Sequence, residues 1–411
     1  MVIWVDKEIM INKEIILAYA LKNAVEHGGN AKVSSVLNGL FNHGLEKDKI
    51  KEIMPELNDV LGEVNAFTNE EQKVLYEKHK SLIGHRVERE GLPELPNSKK
   101  GVIMRFAPSP SGPLHVGHIL SNMTSSLYVK KYGGKFYVRI EDTNPDSIYV
   151  EGYDEIKRDC DWIFGNVFEY IIQSERMEIY YKYVEILMKK NAVYVCDCES
   201  EKFKEDFVLK KKNCPCRSLS VKENLERWER MLSKDKNNFK QGEAVLRFKS
   251  NMKNKNPALR DFPLARINVT KHPLQNSKYR VWPLMNLSVS VDDIEYKMTH
   301  IIRGKDHKDN AERQKLIFKA LGKKYPWTFF MGRVKFSDLE LSKRKIVKKI
   351  QEGEYLGFDD EKLPTISALK KRGYKPEAFE KFVIQRGLSE VDKVISQKDF
   401  FLILDNFNKI S

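Results

Sequence analysis

No apolar stretch in this chain approaches the roughly 18 residues that a membrane-crossing helix requires. Nothing at its start resembles a cleaved leader either, because Asp6, Lys7, Lys13 and Glu14 interrupt "MVIWVDKEIMINKEI". A cytoplasmic protein with no membrane partner is the expectation. Cysteine is scarce, with five in 411 residues. An odd count argues against a disulfide framework, and four of the five fall into two C-x-C pairs, which suits thiolate metal ligation in a reducing compartment. Internal repeats and low-complexity tracts are also missing, which leaves neither a solenoid nor a disordered array. What remains is a globular chain, 41% apolar, long enough for two to four domains.

Acidic residues are short by 14, with 72 Lys and Arg against 58 Asp and Glu. The shortfall is local. Residues 1–100 hold 14 of the basic and 16 of the acidic residues, leaving 58 against 42 in the remainder. A basic face over positions 101–411 suits a polyanion such as nucleic acid, although a solvated lysine-rich surface has the same composition.

Helical spacing of Leu17, Leu21, Ala24 and Val25, with a stop at Gly28-Gly29, opens a region expected to be helical over 1–98. The stretch "GLPELPNSKKG" reads as a linker. "GVIMRF" and "KFYVRIED" then flank a helix expected over Val116 to Tyr132, a βαβ unit that implies a parallel sheet. Residues 99–190 are taken as the first half of that nucleotide-binding domain and 276–350 as the second. The cysteines and the charged helix "SVKENLERWERML" fall in an insert, 191–275, and 351–411 turns helical again.

Ligands of a parallel sheet bind beyond the C-terminal strand ends. "VIMRF" delivers "APSPSGPLHVGH" to that place. Gly117 lets a flat base approach the backbone, while His115 and His118 can donate to phosphate oxygens beside a helix N-terminus. H-x-G-H alone recurs by chance, and so do short basic loops such as "ELSKRKI", where Lys343 is placed to meet a leaving pyrophosphate. Together they resemble the two signatures of class I aminoacyl-tRNA synthetases. "RIEDTNP", "ALRDFPLARI", "YRVWP", "THIIRGKDH", "LSKRK" and "DDEKLPTISALKKRG" extend the match, in order, to the archaeal-type glutamyl-tRNA synthetases.

That resemblance implies a fold class and a function. The fold is α/β: a Rossmann-like parallel-sheet catalytic domain with a zinc-knuckle insert that grips the tRNA acceptor end, a helical N-terminal extension and a helical stem-contact domain. The function is ATP-dependent ligation of glutamate to tRNA(Glu) through glutamyl-adenylate, with Mg2+ on the ATP and tRNA(Gln) as a possible second acceptor. His115, His118 and Lys343 match its phosphate-handling positions; Gly117, Ser342 and Arg344 complete the ATP set. Arg105, Ser109, Glu141, Arg303, Met285 and Asn286 match the substrate positions. There, arginine forks suit carboxylates and an acid suits the ammonium. Arg303 separates glutamate from glutamine, since the glutaminyl relatives carry a small uncharged residue there. Met285 and Leu287, in "WPLMNL", stand where relatives place aromatics, and methionine cannot donate the hydrogen bond of a tyrosine. Cys196, Cys198, Cys214 and Cys216 have the count and pairing of a structural zinc site, and Cys160 reads as a buried free thiol. Lys210, Lys211, Lys212 and Arg217 would meet tRNA phosphates. Relatives continue into anticodon-reading β-barrels that this sequence does not show, so a separate anticodon-binding chain is one expectation. Glutaminyl-tRNA synthetase and a non-catalytic tRNA-binding paralogue are the alternatives.

Overall fold

The computed structural model describes residues 11–45, 49–83, 91–338 and 343–410, without the side chains of 42 and 343–345. The chain forms two compact units, 1–89 and 90–411. Among its described residues the first holds four α-helices: α1 (Lys13–Glu26), α2 (Val33–His43), α3 (Ile50–Ala66) and α4 (Asn69–His79). Asn12 caps α1 by accepting from the Ile15 N–H, and a reciprocal Thr68–Glu71 pair starts α4. Ile16, Leu21, Leu40, Leu57 and Val60 bury their side chains between them.

The second unit opens with β1 (Val102–Phe106), α5 (Val116–Tyr132), β2 (Gly134–Ile140), α6 (Gly152–Phe164) and β3 (Val167–Ile172), the three strands pairing in parallel in the order β1-β2-β3. Gly134, at φ +121°, lies so close to β1 that a Cβ would stand 2.0 Å from the Val102 carbonyl oxygen. After α7 (Met177–Lys189) comes an antiparallel sheet of β4 (Val193–Cys196), β5 (Val245–Phe248), β6 (Pro263–Ile267) and β7 (Val281–Pro283), with α8 (Ser200–Phe203) and α9 (Val221–Leu232) between β4 and β5. The chain then returns through α10 (Met285–Glu295), β8 (His300–Gly304), α11 (Lys308–Ala320) and β9 (Trp327–Met331), with β8 and β9 parallel.

Thr299, just before β8, donates its N–H to the Ile103 carbonyl and accepts the Ile103 N–H on its hydroxyl. That places β8 beside β1, away from β2, so the chain leaves β1 in both directions. The crevice beyond the C-terminal ends of β1 and β8 is therefore where a ligand belongs.

The remainder is β10 (Val334–Phe336), α12 (Lys343–Gln351), α13 (Ile366–Lys371), α14 (Pro376–Arg386), β11 (Lys393–Ile395) and α15 (Gln397–Lys409). The sequence read only helix after 350, yet β11 pairs in parallel with β10, and Phe379, Phe400 and Leu404 share one core with Val102, Met104 and Val138 of the sheet. Residues 351–410 are built onto the core of that sheet. The expected linker is likewise strapped down: Leu95 is buried in that core, its N–H bonds the Tyr132 hydroxyl, and Tyr128 donates to the Pro93 carbonyl. The expected basic loop at "SKRK" also changes, because Lys343 opens α12.

Candidate active site

A cavity of about 520 Å³ occupies the crevice, lined among others by Arg105, Ser109, His115, Gly117, His118, Glu141, Met285 and Arg303. His115 is the N-cap of α5. Its Nδ1 accepts the Gly117 N–H at 3.1 Å, and His118 Nδ1 accepts the His115 N–H at 3.2 Å. The rings stack with centroids 3.8 Å apart. Both Nδ1 atoms are used as acceptors, so each neutral ring carries its proton on Nε2 as a donor. Burial pulls His118 down to about 4 and, with the neighbouring ring, His115 to about 3. The pair thus supplies two fixed N–H donors without charge. Thr365 bridges to His115 and Ile366 donates to the Leu114 carbonyl, tying the turn to the C-terminal segment.

The opposite wall is a charge network. Arg105 gives Nε and Nη2 to the two oxygens of Asp293, at 2.8 and 3.1 Å. Arg139, fully buried, donates to Asp293 at 2.7 Å and to Glu141 at 3.0 Å. Burial opposes ionisation of Asp293, but Arg105 and Arg139 win and hold it at about 2. Asp142 is no solvated neighbour of Glu141: it is buried and accepts from the Tyr153 hydroxyl and from the Ser174 N–H and hydroxyl.

Arg303 is provided for differently. Its Nη1 donates to Gln314 at 2.9 Å, its Nε is buried with no partner, and burial plus the nearby Arg105 lower its pKa. Asn286 stands behind it, bonding Gln314 and Asn310, and is not on the cavity wall. Met285, 37% exposed, is on that wall. Ser342 lies outside the described residues, as do the side chains of Lys343 and Arg344.

The sequence reading missed Arg139, Asp293 and Gln314. A signal existed for Gln314, a polar residue in the buried helical stripe Ala311, Gln314, Ile317 and Phe318.

In the insert, the four cysteine sulfurs lie within 4.8 Å of one another, with neighbours at 3.4, 3.7 and 3.8 Å. A tetrahedral zinc with bonds of about 2.3 Å sets its ligands roughly 3.8 Å apart, so the donor set fits that ion. Cys160 is a buried free thiol. Arg217 is not a free phosphate contact, because it pairs with the buried Asp261 and the Ser250 carbonyl. Lys210 pairs with Asp206.

The family described as tRNA synthetases class I (E and Q), catalytic domain, matches residues 101–406. A glutamate–tRNA ligase of Methanocaldococcus jannaschii is 42% identical over 394 residues, covering 95% of this chain and 70% of that protein. One from Pyrococcus horikoshii is 41% identical, with 95% and 70% covered. The glutamate-tRNA synthetase crystal structure from Elizabethkingia anophelis superposes with a TM-score of 0.54 at 22% identity, over 75% of this chain and 71% of that one, which supports the fold. Among the described residues no helix is long and apolar enough to cross a membrane.

Proposed function

The chain belongs to the class I tRNA synthetases that serve glutamate and glutamine, and we propose that it ligates glutamate to tRNA using ATP. Glutamine as substrate is not favoured. An α-carboxylate oxygen of glutamate attacks the α-phosphorus of ATP and pyrophosphate leaves. A hydroxyl of the terminal tRNA ribose then takes the glutamyl group and AMP leaves. Positioning and electrostatics carry the first step. His115 and His118 donate Nε2–H to phosphate oxygens, Lys343 is the cation for the leaving pyrophosphate, and Gly117, Ser342 and Arg344 complete the nucleotide site. Mg2+ bound with ATP would spread the negative charge of the phosphates.

One observation carries the choice of glutamate: the Arg303 guanidinium is buried on the cavity wall and, among the described residues, no acid is bonded to it. A buried charge needs a partner, and a substrate carboxylate supplies one where an amide cannot. Arg105, Ser109, Glu141 and Met285 complete that pocket, with Asn286 acting through Gln314. The test is charging of total tRNA with labelled glutamate and glutamine in parallel. Glutamate incorporation alone supports the reading, and equal or preferential glutamine incorporation overturns it. Separated tRNA(Glu) and tRNA(Gln) fractions show whether both accept glutamate.

Cys196, Cys198, Cys214 and Cys216 would hold a structural Zn2+ in the insert that grips the acceptor end. Elemental analysis should find about one zinc per chain, and chelation should impair charging more than ATP binding. A metal-free, fully active protein would contradict this.

A further inference from the structure

Arg303 is not alone in lining the cavity without an acidic partner among the described residues. Arg386, the last residue of α14, also faces it. Its Nη2 donates to the Gly332 carbonyl, and among the described residues no carboxylate oxygen lies within 4 Å of it. One such bond leaves four of the five guanidinium N–H groups to be satisfied. Burial lowers its pKa. The nearest acid in effect, Asp392, is already engaged: it accepts from Lys305 at 2.8 Å, Lys335 at 2.9 Å and the Arg333 N–H at 2.8 Å.

The group is held in place by its surroundings. Gly332 donates to the Ser389 carbonyl at 2.8 Å, and a Cβ there would stand 2.1 Å from the Val391 carbonyl oxygen. Lys393 donates to the Arg333 carbonyl as β10 and β11 pair. Residues 331–336 and 386–395 are therefore bonded into one unit, of which 331–334 and Arg386 line the cavity. It shares one cavity with His115 and His118 at the N-terminus of α5, and Met331 at its inner end touches Thr124 farther along that helix. A half-buried guanidinium, anchored by one bond and with its other donors open to the cavity, takes an oxyanion.

We propose that Arg386 binds a phosphate group of ATP, so that the C-terminal helical segment supplies one wall of the nucleotide site. This rests on the ATP-dependent reading above. Equilibrium dialysis of the full chain with ATP and, separately, adenosine tests it on wild type, Arg386→Gln and Arg386→Lys. Glutamine can still donate to the Gly332 carbonyl but has no charge. The expected result is a Kd for ATP about tenfold higher in Arg386→Gln, adenosine binding within about twofold of wild type, and partial recovery of ATP binding in Arg386→Lys. Equal weakening of ATP and adenosine would overturn the proposal, since Arg386 would then only hold the wall. So would unchanged ATP binding with loss confined to tRNA. If Arg386→Gln does not fold, the ratio of ATP to adenosine affinity in Arg386→Lys decides: a selective loss for ATP supports the contact and an unchanged ratio overturns it. A wild type that binds no ATP removes the functional reading instead.

Discussion

Arg105 and Arg303 line the same cavity and are nearly equally buried, at 6% and 9% exposed, yet the fold provides for them in opposite ways. Arg105 rests on a carboxylate of its own chain, Asp293, which it shares with Arg139. Arg303 has a neutral amide and an unpaired Nε. The first arrangement makes a guanidinium part of the fold; in the proposed reading the second leaves its compensation to a ligand. Loss of Arg303 should therefore register in catalysis and loss of the Arg105 partner in stability.

The largest effect is expected from Arg303→Cys. A site that bonds a substrate group and is left without that bond discriminates by roughly 10⁴-fold. Glutamate activation should fall by that order in kcat/KM, about 5.5 kcal/mol, while the unfolding free energy moves by under about 1 kcal/mol because no intramolecular ion pair is lost. Steady-state kinetics beside chemical denaturation measure both. Unchanged glutamate kinetics would remove Arg303 from the pocket, and a large stability loss would show that it has an internal role after all.

Asp293→Asn sharpens the other side. Removing one partner from a buried ion pair costs about 3 kcal/mol or more, and here two arginines lose it together. The melting temperature should fall strongly, and KM for glutamate should rise more than KM for ATP if Arg105 and Arg139 adjoin the amino-acid end as proposed. A variant as stable as wild type would mean that the network is not what holds Arg105.

How far the sequence foretold these features follows the range of the interactions. The two histidines, the strand before them and the extent of α5 were legible because the turn, cap and helix are contiguous. The cysteine pairs were legible because their spacing is itself the signal. Asp293 was not, because its partners lie 188 and 154 positions away and a carboxylate at the end of "SVSVDD" looks like any solvated helix residue. β11 was missed because three residues carry no periodicity, and its partner strand, not its own pattern, makes it a strand. Arg386 drew no attention in "VIQRG", where a basic residue in the last turn of a helix has a sufficient local reason.

The smallest effect concerns the two imidazoles, which are uncharged donors of the proposed nucleotide cradle where the arginines are permanent cations. His118 is held at about 4 by burial, below its ordinary value of 6.5. As pH falls below about 6.5, the unfolded chain takes up a proton that the folded chain refuses. The contribution of the neutral ring to stability is therefore complete above that pH and is lost as pH drops toward 4. His118→Asn keeps an acceptor for the His115 N–H and cannot titrate. Over this window its unfolding free energy should decline less steeply than that of wild type, by up to one proton, about 1.4 kcal/mol per pH unit. The same other groups titrate in both proteins, so the difference between the two curves reports the His118 ring together with its lesser influence on His115. Parallel curves would mean that His118 accepts its proton in the folded state, and the cradle would then hold phosphate with a charged imidazolium instead of a neutral Nε2–H.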